Sequence, residues 1–192
     1  MKSKFLKVLG SLTLVFMLAI LPITKVDVSL ALGERSTGVA IADTAMNLLR
    51  ELRGDMWDQN VPFNGSTIQE EAVNAGYSTR DEYVNAPKWD SVLQADVDTR
   101  LDELNQTGMT HSRPDGAAEL QGATLENLSS MRDLTLSFQL WGPNELDALK
   151  ATNGEFDGAT NGHLYNFLNP NAKSYAFGTA ENDVTPSIRC IL

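Results

Sequence analysis

The chain has 192 residues, 25 acidic against 15 basic side chains, a formal net charge of −10 and a single cysteine. So acidic a surface repels phosphate backbones and anionic membrane surfaces, which argues against nucleic acid as a partner. One cysteine, Cys190, permits no internal disulfide, so the fold must stand on its apolar core. The length suits one domain.

The first residues read as an export signal. Lys2, Lys4 and Lys7 precede the apolar run Val8 to Leu21, which Pro22 ends. That run is shorter than the ~20 residues of a spanning helix. Ser29-Leu30-Ala31 offers a small-x-small cleavage site, so a cut after Ala31 is expected and no membrane span remains after it. The leader takes four lysines with it and leaves a still more acidic remainder. An exported chain without disulfides fits a bacterial protein that is secreted or held at the cell wall.

Residues 32–38 read as a lead-in. From Val39 to Trp57, Ile41, Ala45, Leu48, Leu49, Leu52 and Met56 recur at helical spacing. Asn60 to Ser66 reads as a loop, and Thr67 to Ala75 as a helix that Gly76 ends. Thr79-Arg80-Asp81-Glu82 has the form of a capping box and predicts a short helix ended by Pro87. Trp89 is expected to lead a helix whose apolar face is Val92, Leu93, Val97, Leu101 and Leu104. Asp96, Asp98, Asp102 and Glu103 read as its solvated face.

The stretch from Thr110 to Gly122 is turn-rich, and Asp133 to Trp141 predicts a helix that Gly142-Pro143 breaks. After the Asn153 to Gly162 loop, His163 to Leu168 and Ser174 to Ala180 read as strands, and Thr185 to Leu192 as a last one. Cys190 is expected there as an apolar strand residue. Helices first and strands last predict an α+β fold with helices packed on an antiparallel sheet.

Only two histidines occur, His111 and His163. Imidazole changes charge near neutral pH and binds zinc as a neutral ligand. With no cysteine partner, two histidines make an open site at most, completed by carboxylates or water. Spacing alone does not pair them. Glu155 and Asp157 suggest a weak calcium loop but lack the alternating ligand pattern. No G-x-S-x-G, Gly-rich phosphate loop or H-E-x-x-H is present.

Several segments then form one series. Trp89-Asp90-x-x-Leu93 leads to Arg100 and Glu103, and then to H-S-R-P-D-G at 111–116. Glu126-Asn127-Leu128 follows, then a tryptophan helix, and last G-H-L-Y-N at 162–166 running into L-N-P-N at 168–171. The series covers roughly residues 83–181 and resembles the CAP superfamily of SCP-like extracellular domains, whose members include cysteine-rich secretory, antigen 5 and pathogenesis-related proteins. It is most similar to the cysteine-poor bacterial branch.

The resemblance implies an α-β-α sandwich with a central antiparallel sheet over residues 83–192, preceded by an N-terminal helical extension at 32–82. It further implies a cleft of two histidines and two acids holding a divalent cation, most often zinc. Carried over, the ligands are His111, Glu126, Glu145 and His163, with Asp147 as the alternative second acid. Ser112 and Asn166 are expected to line the cleft, and Tyr165 either to line it or to join Phe167 in the core. The leading expectation is a secreted, non-catalytic binding module for an extracellular ligand or cell-wall component. The alternative is a zinc-dependent hydrolase with Glu126 as general base; lipid or sterol carriage ranks below both.

Overall fold

A computed structural model describes residues 39–114, 125–131, 133–180 and 185–191; the backbone alone is described at 39–40 and 185–191. The expected signal and cleavage site, the 32–38 lead-in and the last two residues of the H-S-R-P-D-G segment, Asp115 and Gly116, lie outside those residues. The described residues fall in one compact unit.

The first helix, α1 (Val39–Asp58), buries Ala45, Leu49, Leu52 and Met56 on the face that their spacing foretold. A tight hairpin follows, β1 (Pro62–Phe63) and β2 (Ser66–Thr67), where the sequence had suggested only a loop. Its two central residues, Asn64 and Gly65, have φ of 52° and 73°. Positive φ at both is what a two-residue hairpin requires, and Asn-Gly adopts it at little cost. The turn rests against Gly154, whose φ is 78° and where a Cβ would lie 2.3 Å from the Phe63 nitrogen. Only glycine fits that contact.

Helices α2 (Ile68–Asn74) and α3 (Arg80–Asn85) begin at threonine caps. At Thr79 the capping box is complete, each side chain bonding the other residue's backbone. The next element departs from expectation. Trp89 belongs to a short strand, β3 (Lys88–Trp89), and Asp90 caps α4 (Ser91–Thr107) by accepting from the Val92 and Leu93 amides. Next come β4 (Leu125–Ser129), α5 (Leu134–Trp141), a 3-10 turn at Pro143–Glu145 and α6 (Leu146–Ala151). Proline at the first position of that turn starts a new direction, as the Gly142-Pro143 break predicted.

Residues His163 to Leu168, expected as a strand, form the helix α7 (Gly162–Leu168). Leu164, Phe167 and Leu168 sit three and four apart and enter one core, a helical spacing that the short segment disguised. Pro170 follows the C-cap residue Asn169 and prevents continuation. The last strands are β5 (Ala172–Phe177) and β6 (Thr185–Ile191), with Cys190 on β6.

Four strands form a sheet in the order β3-β5-β6-β4. The β5–β6 and β6–β4 pairs are antiparallel, whereas β3 runs parallel to β5. The sheet is therefore mixed and not wholly antiparallel. The crossover from β3 to β5 is long enough to carry helices, which a parallel pair needs. The fold is α+β.

Strand β5 divides two cores because its side chains alternate. Tyr175 and Phe177 enter a large cluster with α1, α3, α5 and α7. Ala176 faces a smaller one with Leu93, Val97, Leu101 and Leu104 of α4 and Leu128 of β4.

Within the larger core lies a charge. Arg53 of α1 is fully buried. Its Nε donates to the Phe167 carbonyl at 2.8 Å and its Nη1 to the Tyr83 carbonyl at 3.2 Å. Its Nη2 donates to the carbonyls of Asn169 (2.9 Å) and Ala172 (3.3 Å) and to the Tyr175 hydroxyl (3.2 Å). The guanidinium also lies over the Tyr83 ring, 4.7 Å from its centroid. Carbonyls at a helix C-terminus lack intrahelical partners and favour positive charge, so Arg53 closes the end of α7. Tyr83 adds a second tie by donating to the Leu168 carbonyl at 2.7 Å.

Two outcomes follow. Arg53→Met leaves several buried carbonyls unpaired, and urea titration should show a loss of at least ~3 kcal/mol. Burial pushes the Tyr83 phenol above the ordinary tyrosine value of 10.0, against the opposing pull of Arg53. The neutral hydroxyl is thus favoured by the fold, and its contribution is complete below pH 10 and declines as pH rises beyond it. Tyr83→Phe should flatten that alkaline loss in denaturation curves at rising pH while lowering stability at neutral pH by about 1 kcal/mol.

Candidate functional site

Both histidines are held by glutamates. His111 follows the end of α4, and its Nδ1 lies 2.9 Å from Glu126 Oε2 on β4. His163 is the second residue of α7, and its Nδ1 lies 2.5 Å from Glu145 Oε1 in the 3-10 turn. A carboxylate accepts, so each ring donates from Nδ1, which leaves Nε2 as the acceptor atom of a neutral ring.

Each glutamate is occupied on both oxygens. Glu126 receives Arg100 Nε at 2.7 Å on Oε1, and Arg100 Nη2 at 3.3 Å together with His111 on Oε2. Glu145 Oε2 accepts the Leu164 amide at 2.9 Å. That amide belongs to the first turn of α7, whose N-cap residue Asn161 gives it no side-chain bond. Asn161 is instead bonded within its own loop, to Thr152 Oγ1, the Glu155 carbonyl and the Asp157 amide. Glu145 therefore replaces the missing cap and orients the imidazole at once.

The two pairs approach β4 from its two faces. Glu126 shares the α4 side with Leu128, and the neighbouring Asn127 faces α7. Asn127 Nδ2 donates to the His163 carbonyl at 3.3 Å, and its Oδ1 accepts from Asn166 Nδ2 at 2.9 Å. Trp141, 6.2 Å from the His163 ring by centroids, donates its indole N–H to the Leu128 carbonyl at 3.0 Å. Strand β4 lies at the margin of the sheet.

His111 is 63% exposed and His163 33%, against 18% for Glu126 and 14% for Glu145. Sheltered acids carry accessible rings. Among the described residues, no group of three or more histidine, cysteine, aspartate or glutamate side chains is arranged to hold a metal ion. The donor atoms left uncommitted by the two pairs are the two Nε2 nitrogens, with water able to complete a coordination shell.

The chain matches no family model, no curated protein and no solved structure. The likeness to CAP domains therefore rests on the motifs.

Other expected residues have varied positions. Asp147 is exposed, and Glu145 is the acid beside His163. Ser112 is exposed, its amide bonded to Thr110 Oγ1. Asn166 is buried in the Asn127 pair. Tyr165 stacks on Phe63 and donates to Asn64 Oδ1 at 2.6 Å, which ties α7 to the first hairpin. In the loop that lacks the alternating calcium-ligand pattern, Asp157 bonds the Ala159 amide and the Thr160 hydroxyl, and these bonds hold its carboxyl below the usual range.

Glu103 is a correction. It is not on the solvated face but 15% exposed, between Arg100 and Arg113. Its three-residue offset from Arg100 was the available signal. Asn127 gave no comparable sign, because its partner is a backbone carbonyl 36 residues away.

Replacing Glu145 with alanine removes the cap on α7 and the restraint on His163 together. The expected cost is about 1 kcal/mol in urea titration. The His163 ring signals should also move in nuclear magnetic resonance (NMR) spectra while those of His111 stay in place.

Proposed function

We propose that this protein is a secreted CAP-type domain, built as an α-β-α sandwich, that serves outside the cell as a non-catalytic binding module. In this reading the two imidazoles hold a divalent cation through their Nε2 atoms at the edge of β4. The ion then presents a ligand or cell-wall component with an open coordination position. Zinc is the ion best matched to imidazole nitrogen.

One observation carries the reading: both histidines of the chain are oriented through Nδ1 by a carboxylate. Histidines that ligate metals are commonly held in this way, the carboxylate fixing the tautomer and the ring orientation. Exposed rings on two unrelated elements gain little stability from such pairs, so stability alone is a poor reason for them. The acidic surface adds a field that gathers cations.

The hydrolase reading stands second for a physical reason. Glu126, its candidate general base, is engaged by Arg100 on both oxygens. With His111 also on Oε2, three of the roughly four lone-pair sites of this carboxylate are engaged, which leaves little of it to take a proton from a bound water.

Elemental analysis of the purified protein after zinc loading and dialysis tests the proposal. One zinc per chain is expected, with His111→Ala and His163→Ala each losing it. Equal zinc content in all three proteins would sink the shared site. Peptide cleavage that disappears in His163→Ala would replace it with the hydrolase.

A further inference from the structure

Arg100 lies at the centre of an alternating row of charges, Arg113–Glu103–Arg100–Glu126–His111. The two ends of the row, His111 and Arg113, belong to one short segment after α4. The row therefore begins and ends on the segment that carries the imidazole.

The side chain of Arg100 is 1% exposed. It donates to Glu126 on both oxygens, to Glu103 Oε2 at 3.3 Å and to the Thr110 carbonyl next to His111. Arg113 closes the row, its Nε donating to Glu103 at 3.1 and 3.0 Å and its Nη2 to Oε1. One buried fork thus ties together α4, the Thr110 backbone and the Glu126 carboxylate on β4.

We propose that Arg100 is the positioning residue of the site, acting on His111 through Glu126 and Thr110. This rests on the reading of His111 as a binding group but is tested apart from it. His111 is largely exposed, and an exposed imidazole–carboxylate pair is too weak to order a segment by itself. The order comes from the guanidinium, whose planar fork fixes Glu126 in two directions and leaves Oε2 aimed at Nδ1. Arg113 and Glu103 hold Arg100 from behind. A lysine keeps the charge but reaches only part of these acceptors.

The chain has only two histidines, so nitrogen-15 spectra of the imidazoles report the site with an internal control. At about pH 8, above the ordinary imidazole pKa, His111 should show the Nδ1–H tautomer. In Arg100→Lys it should relax toward the Nε2–H form that a free imidazole favours, with His163 unchanged. Zinc affinity should fall about tenfold or more, the usual effect of losing an outer-shell partner. A folded Arg100→Lys protein with the wild-type His111 tautomer overturns the proposal.

If that variant fails to fold, Glu126→Gln supplies the test. The Arg100 Nε–H and the His111 ring signals should shift together, and a shift of the first without the second overturns the relay. Failure of the wild type to take up zinc ends the cation reading while the tautomer result still decides the role of Arg100.

Discussion

A buried guanidinium that bonds to backbone carbonyls is the constraint on which this structure turns. Arg53 reaches Tyr83 at the end of α3's first turn, the last residues of α7 and the start of β5. Removing a charge from water costs several kcal/mol unless nearly every donor is matched, and here the matching acceptors lie on segments 30 to 122 residues away. The helix α1, the α7–β5 turn and the sheet must therefore form together. His163 inherits its place from this, because the same short helix that carries it at one end is closed by Arg53 at the other.

The site follows a similar logic on a smaller scale. Strand β4 has side chains on alternate faces, so Glu126 belongs to the α4 core and Asn127 to the α7 side. Each face delivers one histidine, and each histidine is steered by an acid that is itself held. Arg100 holds Glu126, and the α7 amide holds Glu145. Carboxylates so committed serve as restraints on the two imidazoles.

Local chemistry was readable wherever a residue acts on its neighbours. The Thr79–Glu82 capping box, the apolar stripe of α1, that of α4 apart from the exposed Val92, and the break at Gly142-Pro143 matched the structure. The Asn64-Gly65 turn was equally local and was passed over as a loop. The segment from His163 to Leu168 was misread because six residues leave periods of two and 3.6 hard to tell apart. Glu103 departs from the solvated face that its position on α4 suggests because the Arg113 segment returns to cover it.

By itself, the sequence determined the helices with strong caps, the acidic surface and the shortlist of chemistry, since only two imidazoles exist to choose from. Motif likeness singled out Glu126 and Glu145 beside them. The tertiary structure alone decided the mixed sheet, the Nδ1 restraint of both rings and the buried roles of Arg53 and Arg100. The reason is physical. Capping and periodicity act over a few residues of chain, whereas a buried charge is satisfied by whatever acceptors the fold delivers, and nothing in its own segment names them.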